Sequence, residues 1–318
     1  MSWKKLKMDV FRPPTLPLLL SVFTGSGIHI TIIIFTTTIL ACVFFASDAH
    51  RGDIIIVFGL CYLLTSVISG VVSSRIYKLL KGVHWLKLAL VTSTLLPSLA
   101  FGIVLFMNTI LELEGSDLSI DFWHIVFMLC VWGGCYIPQI FIGSLIGFSK
   151  QEISVPCKYS LVGRGIINLP SWLNIHVTSL VGGVLPFGTI LYEIGTLVQN
   201  FWGGNVDFLF PLVMLVIVLM LITCAQVGIV VTFINLIHGN YKWWWSAFMS
   251  TASLGLYTMV YTTTVFCVVV GPKNFNHLLL FLCSTVLVSG MVALACGSIS
   301  FVASFLFVKY LYSNVKAN

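Results

Sequence analysis

Charge is what this sequence has least of. Only 8% of its 318 residues are Asp, Glu, Lys or Arg, against about 25% in a soluble domain. With 58% hydrophobic residues and a mean hydropathy of +1.05, the chain has too little polar surface to coat a water-soluble fold. A soluble enzyme is excluded, and so is disorder, because disordered chains are poor in apolar residues. Chemical motifs are missing too. There is no Cys-x-x-Cys and no Cys/His spacing of a zinc site. There is no His-Glu-x-x-His, no Gly-x-Ser-x-Gly, no Walker loop and no Asp pair within an apolar run. No catalytic, cofactor or metal site is expected. No Asn-x-Ser/Thr sequon occurs to mark a lumenal side. The net charge of +6 is small, and nucleic acid is not an expected partner.

What remains is apolar length. Eight runs reach the roughly 20 residues a bilayer crossing needs: 25–46, 54–76, 86–108, 122–147, 178–199, 207–237, 244–270 and 278–311. The expected fold is all-α, a polytopic membrane bundle of about eight helices in contact with lipid. The sixth and eighth runs exceed the hydrocarbon thickness and should tilt or project into water. Residues 16–24 are too short to span, and residues 1–24 read as a cytosolic and interfacial approach to the bundle at 25–318. The basic, proline-terminated start does not read as a cleaved signal peptide. No fixed-period repeat or low-complexity tract occurs.

An even number of spans puts both termini on one side, and loop charge says which. Of 16 basic residues, 14 fall on the side of the termini: Lys4, Lys5, Lys7, Arg12, Arg75, Lys78, Lys81, Lys87, Lys150, Lys158, Arg164, Lys242, Lys309 and Lys316. Only Arg51 and Lys273 fall opposite, where most acids lie. Both termini are therefore expected in the cytosol, together with the longest hydrophilic link, 148–177.

Polar residues at membrane depth are costly, so they are the candidate functional positions. Glu193 falls roughly 9 Å inside the far interface of span five at 1.5 Å per residue. Asn108, at similar depth in span three, is its candidate partner. Gln226 and His29 lie toward the cytosolic halves of spans six and one, where interhelical hydrogen bonding is expected. Pro97, Pro138, Pro186 and Pro211 each remove a backbone donor and predict kinks. Gly182-Gly183-Val-Leu-Pro186-Phe-Gly188 predicts the strongest break, of the kind that lines transporter sites. Gly143-x-x-x-Gly147 and Ala293-x-x-x-Gly297 suit close helix contact. Trp243-Trp244-Trp245 reads as an interfacial aromatic belt, Gly25-Ser-Gly27 as a packing site or turn, and Cys157 as part of a hydrophilic loop.

Several stretches together resemble one family. Asp9-Val-Phe-Arg-Pro-Pro14, followed by Leu20-Ser-Val22 and Gly25-Ser-Gly27, resembles the hallmark of the nonaspanins, the transmembrane nine superfamily (endomembrane protein 70 family). Ser74-Arg-Ile-Tyr-Lys78 with Trp85, Phe106-Met-Asn108 before Gly115-Ser116, Gly183-Val-Leu-Pro-Phe-Gly188 with Glu193, Thr223-Cys224, Tyr241, Trp243-Trp244-Trp245 and Phe248 match further landmarks in order. Departures also occur. Gln226 stands where the family has an acid, Gly239-Asn240 where it has Glu-Asp, and Ser246 where it has Arg. Arg164 alone fits an Ile-Pro-Arg-Gln-Ile-Pro-like run. The terminal Lys-x-Asp signal appears as Lys316-Ala317-Asn318.

The resemblance implies a Golgi or endosomal multi-span protein, not an enzyme, that sorts and localises other membrane proteins. It implies transmembrane clients as partners, including spans rich in glycine, and coatomer at the Lys316–Asn318 tail. It also implies that the family's lumenal domain and first span are absent from this chain. The alternative function is a small-solute transporter using Glu193, Asn108 and the break at Pro186. The lack of a repeat and the off-centre position of Glu193 favour sorting.

Overall fold

In a hydrocarbon layer every backbone N–H and C=O must be satisfied internally, so a long apolar run folds as a helix. The computed structural model describes residues 6–44, 53–116, 119–157, 170, 173–203, 209–271 and 274–314, with the backbone alone for 44, 53–55, 197–203, 209, 210, 269 and 270. Among the described residues there are helices and no strand. Six spans are single helices, the eighth span and these five: α1 (Pro17–Phe44), α2 (Asp53–Leu79), α3 (Trp85–Leu113), α6 (Ile175–Gly203) and α7 (Leu209–Ile237). Span four joins α4 (Phe122–Val131) to α5 (Ile137–Ser149) through a π-turn at Trp132–Tyr136. Span seven joins α8 (Trp243–Ala252) to α9 (Leu254–Val265), which ends in a π-turn at Phe266–Val270. α10 (Phe275–Ser313) is the eighth. Eight spans are long and apolar enough to cross a membrane, as expected.

The first span starts earlier than its apolar run predicts. Residues 17–24 form the opening turns of α1. Pro17 presets the first helical dihedral, and Ser21 and Thr24 donate back to the carbonyls of Pro17 and Leu20 at 2.8 and 2.7 Å. At the other end of the chain α10 has 39 residues, about 58 Å of helix, so it projects beyond a core about 30 Å thick.

Burial is reversed relative to a water-soluble bundle. On α2, Ser66, Ser69, Ser73 and Ser74 are buried while Leu64 is 75% exposed. Lipid solvates leucine as well as a core does, so small and polar residues take the helix contacts. Gly70 and Gly143 bring α2 and α5 together: a Cβ would lie 2.4 Å from the Ile140 carbonyl at one and 2.2 Å from the Val67 carbonyl at the other. Ser66 donates to Gln139 across the same contact at 2.5 Å. The Gly143-x-x-x-Gly147 pattern is thus consumed inside the chain. α1 to α5 form one group and α6 to α10 another, joined mainly by α1 against α10 and α7. Gly25 and Gly27 serve that central packing, Gly25 against α2 and Gly27 against the Leu294 carbonyl of α10.

The predicted break at Gly182–Gly188 does not form. α6 runs uninterrupted through Pro186, with Gly182 and Gly183 occupied by packing and Gly188 facing open space. A Cβ on Gly182 would lie 2.6 Å from the Ser250 carbonyl, and Gly183 faces Ser253. Ser253 and Tyr257 of span seven also donate to the α6 carbonyls of Ser179 and Leu180. Pro97 likewise lies inside an uninterrupted α3. The irregular turns lie in spans four and seven. In span four the flexible pair Gly133-Gly134 forms the π-turn just before Pro138, where a missing donor is tolerated.

Candidate functional site

The residues before α1 are the first part of the candidate site. Leu6 to Arg12 form tight turns, with Asp9 and Val10 donating to the Leu6 carbonyl at 2.8 and 3.0 Å and Arg12 to that of Asp9 at 3.0 Å. Asp9 also holds the Arg12 guanidinium at 3.1 Å. Leu6, Val10 and Phe11 are buried among Trp243, Trp244, Phe301, Phe305 and Tyr312.

The three tryptophans are not a membrane belt. Trp243 and Trp244 are fully buried. Their indole N–H groups donate to the carbonyls of Val10 and Arg12, both at 2.9 Å, and Trp245 donates to that of Thr15 at 2.7 Å. Successive residues on an α-helix point about 100° apart, so three in a row cannot all face lipid. Together the indoles clamp an irregular strand of backbone whose carbonyls have no helical partner. Cys157 joins the same buried cluster. Burial pushes its thiol up, against the opposing pull of Lys7, so it is not a reactive thiolate.

The turn between α7 and α8 is knit by amides. Asn240 donates to Asn235 at 2.7 Å, Asn235 donates to Ser246 at 3.2 Å, and the Lys242 amide donates to Asn240 at 3.0 Å. Beside this turn lies a cleft of about 620 Å³. Arg12, Lys242, Asn240 and Trp245 line it. A second cavity of about 650 Å³ lies between α6 and α7 and is lined mostly by valine and leucine.

The intramembrane candidates do not form one site. Asn108 is not the partner of Glu193. It donates to Glu112 at 2.8 Å and exchanges hydrogen bonds with the backbone of Ile120 at 2.6 and 3.2 Å. It therefore ties the link between α3 and α4, a local bond that outcompetes one between distant spans. Glu193 is half-buried on α6, and its Oε2 is enclosed without a hydrogen-bond partner among the described residues. Gln226 is exposed on α7 along the second cavity; it forms no interhelical bond among the described residues. His29 does bond between helices, to the Tyr62 carbonyl at 3.2 Å. It sits against Tyr62 and Tyr136, whose rings stack at 5.0 Å. Lys316, Asn318 and residues 158–169, 171 and 172 of the 148–177 link lie outside the described residues.

α4 stands apart from the rest. None of its residues is buried, and among the described residues it packs against no other span beyond marginal contact. It is carried instead by the π-turn, at which Gly133 and Gly134 face open space.

Comparison with known proteins agrees with the resemblance read in the sequence. A family model described as endomembrane protein 70 matches residues 1–272. The chain belongs to that family. It is 31% identical to transmembrane 9 superfamily member 10 of Arabidopsis thaliana over 99% of this chain and 50% of the relative. It is 31% identical to transmembrane 9 superfamily member 4 of Homo sapiens over 99% and 49%, and 32% identical to member 2 of Pongo abelii over 100% and 48%. The chain spans about half the length of the curated relatives it matches. No solved structure matches it. As an endomembrane protein 70 member, it places the Asp9–Pro14 stretch in the tryptophan clamp.

Proposed function

We infer that this protein assists the sorting and localisation of other membrane proteins in Golgi or endosomal membranes, with both termini in the cytosol. Membership in the endomembrane protein 70 family supports the setting. The observation that carries the reading is the bare flank of span four. Helices associate in lipid through close packing at small residues, not through burial of apolar surface. Among the described residues α4 has no helix covering it, and Gly133-Gly134 leaves backbone open beside it. A client span with its own glycines can approach that backbone closely. Most other glycine contacts, such as Gly70 against Gly143, are already used within the bundle. Transport of a small solute has less support, because the cavity along α6 ends at Thr189 and carries no charged side chain.

The test is replacement of both Gly133 and Gly134 by leucine. A membrane reporter with a glycine-rich span should mislocalise while the variant keeps wild-type abundance and location. Unchanged reporter location would contradict the reading. The tail is part of it: Lys316 supplies the basic point of a coatomer signal, and Asn318 stands where the family has an acid. Asn318→Asp should shift the protein toward early Golgi and Lys316→Ala toward endosomes. No movement in either case removes the tail from the proposal.

A further inference from the structure

The cleft and the groove between α6 and α7 adjoin. Leu173 lines both, and the consecutive residues Ile234 and Asn235 line one each. Among the described residues the cleft carries two cations, Arg12 and Lys242, and no carboxylate lines it. Asp9 lies behind the wall, holding Arg12 in place at 3.1 Å. The groove has the opposite chemistry. Val181, Leu185 and Val230 line it, and it bears no charged residue.

Its length identifies what fits. The groove follows α6 from Val177 to Thr189, a rise of 12 residues or about 18 Å. Half of a hydrocarbon core about 30 Å thick is about 15 Å. The groove therefore starts at the interface and ends near the midplane. A transmembrane helix needs the whole thickness, whereas an acyl chain needs one leaflet. A cationic polar mouth at the end of the groove completes an amphiphile-shaped site. Arginine suits phosphate oxygens by its forked donors, and lysine adds a point charge.

We propose that the joined cavities hold one anionic glycerophospholipid, its headgroup in the cleft lined by Arg12 and Lys242 and one acyl chain between α6 and α7. The site is separate from the α4 flank, so either reading can fail without the other. Lipid seated here bridges the N-terminal segment and the α6–α7 pair.

The experiment uses the full chain reconstituted in phosphatidylcholine vesicles doped with phosphatidylserine that carries a diazirine in one acyl chain. Adducts after irradiation are mapped by peptide mass spectrometry. They should concentrate on the groove walls of α6 and α7, with weaker labelling there by the same diazirine on phosphatidylcholine. Lys242→Gln should lower the groove labelling by phosphatidylserine about fivefold. Arg12→Gln should act in the same direction, but its bond to Asp9 makes Lys242→Gln the decisive variant. Val230→Trp should block the chain while leaving both cations in place. Unfolding temperatures equal to wild type confirm that Lys242→Gln and Val230→Trp are folded. Equal labelling by the two lipids, insensitivity to Lys242→Gln, or adducts spread evenly over all lipid-facing helices would overturn the proposal. So would displacement by inorganic phosphate alone, because the groove would then contribute nothing.

Discussion

Trp243 donates its indole N–H to the carbonyl of Val10 across 2.9 Å, joining the segment before the first span to the start of the seventh. The two residues are 233 positions apart, and both are fully buried. A buried carbonyl without a partner costs about 1–3 kcal/mol. Trp243→Phe should therefore destabilise the bundle by about that amount, and Trp244→Phe should behave similarly. Trp245→Phe should cost less, because water can reach that more exposed bond. Thermal unfolding in detergent gives the order. A Trp245 effect equal to that of Trp243 would contradict the clamp as described.

Glycine positions separate into two classes that a single substitution distinguishes. Gly70→Ala and Gly143→Ala force a Cβ into a backbone carbonyl and should destabilise by about 1–3 kcal/mol. Gly59 and Gly102 face open space on their helices, and alanine there should be neutral or stabilising by about 0.5–1 kcal/mol. The same unfolding assay reads both. Equal costs at Gly70 and Gly59 would contradict the α2–α5 contact.

Glu193 has no bond to lose, since its enclosed Oε2 is unpartnered among the described residues. Glu193→Leu should therefore fold at least as stably as the parent, and Glu193→Gln should match it. Destabilisation by leucine but not by glutamine would show that a hydrogen bond exists. Loss of reporter sorting in Glu193→Gln at normal abundance would mark the charge as functional.

Orientation is checked by labelling in a background without the exposed native cysteines. Cysteines placed at Ser2, Ser160 and Asn318 should react with an impermeant thiol reagent only after permeabilisation. Cysteines at Ser116 and Asn274 should lie on the other side. Labelling of 116 and 160 from one side would break the eight-span topology.

The span count was readable because hydropathy and loop charge are one-dimensional signals. Where a polar side chain points is not. Asn108 and Glu193 are at similar depth, yet Asn108 is taken by Ile120, twelve positions away on the following link. Pro186 suggested a broken helix, but Gly182 and Gly183 are spent on packing against α8, and the turn opens at Gly133-Gly134 instead. The tryptophan triplet looked interfacial because its partners are backbone carbonyls, which leave no trace in side-chain patterning. Asn240 and Ser246, two departures from the family pattern, converge on Asn235. That convergence requires the fold to see.

The central claim is that client spans dock on the uncovered half of span four. A photo-crosslinking residue at Phe127 on α4, compared with one at Leu64 on α2, tests it directly, since both positions are well exposed. Phe127 should crosslink to a co-expressed reporter whose span is rich in glycine and not to one whose span is all leucine, while Leu64 should capture neither. Equal crosslinking at both positions, or of both reporters at Phe127, would contradict the account.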